Sequence, residues 1–273
     1  MTSPAANDPF EDPPLRVARD SRGVVTLTLN RGRAYNPLSE EMLDALQAAI
    51  DVVAADETAR VVVVAAEGRA FSAGHDLKQM RAEPSQAYYE ALFAHCSRVM
   101  VALQALPVPV IARVQGMATA AGCQLVAACD LAVAAADARF AVSGVTLGLF
   151  CSSPSVALSR NIPRKAAFEM LVTGDFIDAG EAKARGLVNR VVPAEALDEA
   201  VESLLASILA KPRVAIAMGK GLFYRQLEAP LAAAYADAGR TMAANMMDRA
   251  ALEGVLAFVE KRQPAGPDWS SKP

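Results

Sequence analysis

The chain has 273 residues, 53% of them hydrophobic and 21% charged, with a formal net charge of −3; at ~100–200 residues per domain this is one large domain, or one with an appendage. That balance excludes wholesale disorder, and the acidic net charge excludes the basic footprint that non-specific nucleic-acid binding needs. No uncharged apolar run reaches the ~18–20 residues of a bilayer span, since the best, 108–128, is broken by Arg113, Gln115 and Gln124.

Residues 1–14 are proline-rich, acidic and aperiodic, the composition of a disordered tail. The β-branched run 24–29 predicts a strand that ends in a turn at Asn30-Arg31-Gly32. Ser39 reads as a helix N-cap with Glu40 and Glu41 in the first turn, and Leu43, Leu46, Ile50 and Val53 follow at helical spacing. Residues 61–65 are apolar on both faces, as in a covered strand, and 67–84 reads as a long loop. A helix over 88–106 stops at Pro107 and Pro109, and a strand follows at 110–114. Residues 115–122 form a loop of small side chains, 123–128 a short helix, and 131–134 and 139–142 two strands. After Pro163 a helix over 165–172 ends at Gly174, and another over 179–185 is capped by Gly186 before a strand at 187–192. From 194 to 261 the pattern is helical throughout. Strand–helix alternation with an all-helical end is an α/β (α+β) pattern: a core over 15–193 and a helical C-terminal region over 194–273, with no linker between them.

Two histidines, His75 and His95, cannot supply a three-histidine metal site, and no metal site is expected. Cys96, Cys123, Cys129 and Cys151 show no C-x-x-C spacing. With no secretory signal in MTSPAANDPF they read as reduced thiols of a cytoplasmic protein.

Two segments can carry chemistry. In Phe71-Ser72-Ala73-Gly74-His75-Asp76-Leu77 a glycine lets the main chain approach a ligand. In Gly116-Met117-Ala118-Thr119-Ala120-Ala121-Gly122-Cys123-Gln124 small residues precede a short helix, whose N-terminus offers unpaired N–H groups. Two main-chain donors from separate loops, aimed at one point, make an oxyanion hole.

Together the segments resemble the crotonase (enoyl-CoA hydratase/isomerase) superfamily. Residues 68–77 are similar to its A-G-x-D-L loop, and the second segment with Cys129-Asp130 is similar to its V-x-G-x-A-x-x-G-x-x-L-x-x-x-C-D signature. Leu171-Val172-Thr173-Gly174, Gly186-Leu187-Val188 and the ending at 257–262 match in order, so the resemblance spans about 15–264. Residues 72–77, 121–127 and 148–154 resemble one branch within it.

The resemblance implies a ClpP-like ββα spiral core with a helical C-terminal trimerisation region, assembled as a homotrimer or hexamer. It implies an acyl-CoA thioester as ligand, with coenzyme A part of the substrate and no separate cofactor; the net charge and the apolar-run lengths add the expectation of no nucleic-acid and no membrane partner. It places the two carbonyl-polarising N–H groups on His75 and Ala121, with the His75 imidazole facing solvent and Asp76 capping its loop. CoA contacts are implied for Arg33, Ala34, Ala73, Gly74, Asp76 and Leu77, with Phe258 and Lys261 closing the site from this or a neighbouring subunit.

One part of the family pattern is missing. The positions of the two hydratase glutamates carry Gln124 and Gly144, and neither exchanges a proton near neutral pH. Between Ala91 and Phe168 the only acids are Asp130 and Asp137, both at positions that look structural. Since one general acid or base is worth ~10²–10⁴ in rate, classical hydration should be weak. Glutamate at both positions should raise it, limited by a backbone angle that Gly144 could hold. Three readings stay open: an acyl-CoA lyase or isomerase of another reaction using His75, Gln124, Cys123 or water; a weak enoyl-CoA hydratase; and a non-catalytic acyl-CoA-binding or regulatory protein.

Overall fold

The computed structural model describes residues 12–266; of the tail expected at 1–14, residues 1–11 lie outside the described residues. In chain order, β1 (Leu15–Arg19) and β2 (Val24–Leu29) precede β3 (Pro37–Leu38) and α1 (Glu40–Ala55). Next come β4 (Val61–Ala66), β5 (Ala70–Ser72), β6 (Gly74–His75), α2 (Leu77–Ala82) and α3 (Gln86–Ala105). Then β7 (Val110–Val114), β8 (Met117–Thr119) and α4 (Ala121–Ala128) follow, and β9 (Leu131–Ala135), β10 (Arg139–Ala141), α5 (Ser152–Asn161) and α6 (Arg164–Thr173) after them. The strands finish with β11 (Ile177–Asp178), α7 (Ala179–Arg185) and β12 (Arg190–Val192). Four helices complete the described residues: α8 (Leu197–Leu209), α9 (Arg213–Leu227), α10 (Leu231–Met246) and α11 (Arg249–Val259).

One sheet has the order β1-β2-β4-β7-β9-β12, a second β11-β10-β8-β5, and β3 pairs with β6. All pairs are parallel except β1 with β2 and β10 with β11. Each turn of chain gives one strand to the large sheet, one to the small sheet, and then a helix: β4–β5–α3, β7–β8–α4, β9–β10–α5. This is the expected ββα spiral.

Strand alternation explains why β4 is buried throughout. Val62 and Val64 face the main core with Leu43, Leu46 and Ile50 of α1. Val61 and Val63 face the opposite side, where Leu197, Val201, Leu205 and Leu209 of α8 cover them. α1 starts where Ser39 Oγ accepts from the Met42 N–H, with Glu40 and Glu41 in its first turn. Gly174 and Gly186 end α6 and α7 in the left-handed conformation, as their sequence context requires.

The segment read as a loop over 67–84 contains β5, β6 and α2, and the small-residue loop contains β8. α5, over Ser152–Asn161, was not foreseen, and β12 takes only the last three residues of 187–192. α9 buries no apolar residue fully; it is anchored by polar groups. Lys220 Nζ donates to the Leu103 and Val108 carbonyls and to Asp130 Oδ2 at 2.7 Å, and Tyr224 donates to Asp130 Oδ1 at 2.6 Å. Asp130 also accepts from the Val110 N–H, which ties α9 to the start of β7.

Candidate active site

Two glycines let the spiral bring its two small-residue segments into contact. Gly74 has φ +90°, and a Cβ there would lie 3.0 Å from Ala120 Cβ and 3.1 Å from the Ala121 nitrogen. Gly122 sits so close to β5 that its Cβ would fall 2.3 Å from the Ser72 carbonyl oxygen. His75 therefore follows directly on the contact, and Ala121 is the first residue of α4, where N–H groups have no partner inside the helix. Between β8 and α4 the chain turns at Ala120, whose φ of 51° and ψ of −122° are costly for an L-residue, on the order of 1–3 kcal/mol. Its N–H donates to the Ala141 carbonyl at 3.0 Å, which holds the turn in place.

Asn36 fixes the other side of the loop. It is fully buried with φ 51°, and its Nδ2 donates to the Glu67 and Ala70 carbonyls. Ser72 Oγ donates to the Asn36 carbonyl at 2.8 Å and accepts from the Gly74 N–H. The Ala73 N–H donates to Tyr35 O at 2.9 Å. The 3₁₀ turn Gly32–Ala34, which carries Arg33 and Ala34, is thereby set beside Ala73 and Gly74. Arg33 is exposed and makes no hydrogen bond or ion pair with the described residues. Sequence reasoning missed Asn36 and Arg69, whose guanidinium stands 4.7 Å over the Tyr35 ring. Asparagine, which tolerates the left-handed region better than most residues, was the available signal at 36, although the following proline biases against it; nothing local marked Arg69.

Asp76 Oδ1 accepts from the Lys78 and Gln79 N–H groups, so it caps α2, and Leu77 is exposed. The imidazole of His75 does not simply face solvent. Pairing of β3 with β6 sets Leu38 opposite His75, and Nδ1 lies 3.3 Å from the Leu38 carbonyl. The ring meets Phe93 of α3 edge-on at 5.4 Å. Burial lowers its pKa below the ordinary 6.5.

Gln124 is 4% exposed, and its Oε1 is buried without a hydrogen-bond partner. Gly144 is buried in the 3₁₀ turn Ser143–Leu147 and donates its N–H to Cys151 Sγ at 3.3 Å. Its backbone is not in the left-handed region, contrary to expectation. The obstacle to a side chain there is space: a Cβ would meet the Leu149 carbonyl oxygen at 2.4 Å and Cys151 Sγ at 2.8 Å. Neither acid between Ala91 and Phe168 replaces the missing pair: Asp130 belongs to the α9 anchor and Asp137 is exposed. Cys123 is fully buried, which pushes its thiol up to about 12 and leaves it inert near neutral pH.

Phe258 and Lys261 lie at the end of α11 and are exposed, Phe258 by 84%. Among the described residues of the single chain, no hydrogen bond or ion pair joins them to the 73–77 loop. A groove of 730 Å³ opens between the large sheet and α8, away from these residues, lined by paired charges such as Arg22 with Glu202 and Arg113 with Asp198.

The spiral and the glycine-mediated contact define the crotonase class, and the chain belongs to the enoyl-CoA hydratase/isomerase family, whose profile matches residues 19–272. It is 43% identical to the mitochondrial enoyl-CoA hydratase domain-containing protein 3 of Rattus norvegicus over 96% of this chain and 86% of that one. The Xenopus laevis protein of the same name is 44% identical over 92% and 85%. Among solved structures, an enoyl-CoA hydratase of Mycobacterium smegmatis is 66% identical with a TM-score of 0.92, covering 93% of this chain and 99% of that one. Human enoyl-CoA hydratase domain-containing protein 3 is 43% identical with a TM-score of 0.89, covering 93% and 100%. The branch resemblance of residues 72–77, 121–127 and 148–154 agrees with these relatives.

The cytoplasmic expectation is corrected by the same comparison, since the rat and Xenopus relatives are mitochondrial. The physical reason is that buried, free Cys96, Cys123, Cys129 and Cys151 fit any reducing compartment, so cysteine usage reports redox state and not address.

Proposed function

We propose that this protein is an acyl-CoA thioester enzyme that polarises the thioester carbonyl with the main-chain N–H groups of His75 and Ala121 and does not act as a two-carboxylate hydratase. The observation that carries the reading is the close approach of Gly74 to Ala120 and Ala121, too tight for a side chain at 74, which puts the loop preceding His75 at the N-terminus of α4. Main-chain donors are indifferent to the side chains at 124 and 144, so the polarising function survives their replacement. Proton transfer by carboxylates does not survive it, because an amide and a glycine offer no titrating group.

In this reading CoA lies along Ala73, Gly74, Asp76 and Leu77, with its phosphates at Arg33 and Ala34. The bond from Ala73 to Tyr35 supports that placement, and Arg69 adds a second cation at the same mouth. Phe258 and Lys261 would complete the site from a neighbouring copy in a homotrimer or a pair of trimers. The exposed Leu231, Tyr235, Met242 and Met247 of the C-terminal helices support such an assembly. Calorimetric titration with butyryl-CoA tests the reading. Wild type should bind, and Arg33→Ala should bind more weakly and with a shallower salt dependence. No binding of any thioester by wild type would overturn it.

A further inference from the structure

A site without its carboxylates still needs a group that moves protons if it is to be catalytic. Gln124 cannot titrate, Cys123 is held protonated by full burial, and Asp130 is engaged by Lys220, Tyr224 and the Val110 N–H. His75 remains. A carbonyl oxygen only accepts, so the contact of Nδ1 with Leu38 O places the ring proton on Nδ1 and leaves the lone pair on Nε2. Nε2 has no hydrogen-bond partner among the described residues, yet it is not among the buried polar atoms sealed from solvent. The ring is held between Leu38 and Phe93, so its orientation is fixed before any ligand arrives.

We propose that His75 is a catalytic residue in its own right, with Nε2 taking a proton from the α-carbon of the acyl thioester whose carbonyl oxygen the His75 N–H holds. This rests on the thioester reading above and names its proton carrier. The balance is simple. The α C–H bond breaks, an Nε2–H bond forms, and the electron pair moves to the thioester oxygen, where the His75 and Ala121 N–H groups stabilise the enolate. The imidazolium returns its proton to carbon, or a solvent deuteron once it has exchanged. One residue therefore supplies an oxyanion donor from its main chain and a base from its side chain, and the α-carbon is one bond from the carbonyl carbon.

The ring works as a base because it is neutral. Burial holds it so, and no charged side chain opposes this. From its own loop, Asp76 directs its carboxylate to α2. Glu40, beyond β3, is bonded by Gln79 Nε2 at 2.6 Å. From α3 the ring meets Phe93, on which Tyr89 stacks in turn.

The test is α-proton exchange of butyryl-CoA in D2O, followed by ¹H NMR, with butyryl-CoA binding measured on the same proteins. Wild type should exchange, with a rate that rises with pH and levels off above an apparent pKa below 6.5. His75→Gln keeps the main-chain donor and should bind butyryl-CoA within a few-fold of wild type, while exchange falls by about 10²-fold or more. Retained binding also shows that the variant is folded. Wild type that binds without exchanging, a His75→Gln that exchanges normally, or a rate that climbs with hydroxide without levelling would each overturn the assignment. Failure of wild type to bind at all would instead overturn the thioester reading beneath it.

Discussion

The Gly74 α-carbon stands so close to Ala121 that a methyl group on it would come within 3.1 Å of the Ala121 nitrogen. This single approach joins the second and third turns of the spiral at the point where both proposed carbonyl donors lie. Gly74→Ala should therefore damage the site in two ways, through a disfavoured φ of +90° and through a clash with backbone. Denaturant titration should show a loss of about 1–3 kcal/mol, and calorimetry a loss of butyryl-CoA affinity of tenfold or more.

Restoring the glutamates should not restore a hydratase. A side chain at 144 must displace the Leu149 carbonyl and Cys151 Sγ, and a backbone carbonyl does not yield cheaply. Gly144→Glu should lower stability by about 1–3 kcal/mol, as overpacking does. Gln124→Glu puts a carboxylate at a buried position, where desolvation raises its pKa. Crotonyl-CoA hydration by the double variant should stay near the wild-type rate, the reverse of what the sequence suggested.

The buried pair of Lys220 and Asp130 should matter more than surface ion pairs. Its side chains are 7% and 15% exposed, and three backbone groups share the cluster. Lys220→Met removes one partner and leaves Asp130 with only the Val110 N–H and Tyr224. A loss of about 3–5 kcal/mol is expected by chemical denaturation. Arg16→Ala, at an exposed pair with Glu67, should change stability by less than about 1 kcal/mol.

Acid should destabilise the fold partly through His75. Its folded pKa lies below the 6.5 of the unfolded chain, so the unfolded state binds more protons in that window. The contribution is complete above pH 6.5 and is lost as pH falls through the folded pKa. Urea melts at pH 7.5 and pH 5 should show a smaller pH dependence in His75→Gln than in wild type.

The exposed apolar surface of α10 and α11 should be covered in solution. Leu231, Tyr235, Met242, Met247 and Phe258 are 72–84% exposed in the single chain. Sedimentation at micromolar concentration should show a trimer or hexamer. Met242→Glu with Leu231→Glu should shift it toward monomer.

What the sequence made legible was decided by local chemistry. Ser39, Gly174 and Gly186 mark helix ends because their side chains, or the lack of one, act on neighbouring backbone. The run 61–65 is legible because both faces of β4 are covered. The segment 67–84 was not, because β5 and β6 are two or three residues long and exist through pairing with β8 and β3. α5 was hidden because Ser152, Ser153 and Pro154 are poor helix formers, although a proline is tolerated in a helix's first turn. In the site, Gln124 and the missing acid at 144 were legible from the family pattern. The reason glutamate cannot return to 144 was not, since it depends on where Leu149 and Cys151 fold back. Ala120 gave no sign either, because only tertiary contacts hold an alanine at positive φ.

The most direct test is the hydration rate of crotonyl-CoA by wild type, read by loss of enoyl absorbance at a concentration where binding is saturated. The account predicts turnover orders of magnitude below the ~10 s⁻¹ typical of enzymes, because neither Gln124 nor Gly144 can move a proton. Turnover at ~10 s⁻¹ or more would contradict it, since some group in the pocket would then be doing the work of both missing glutamates.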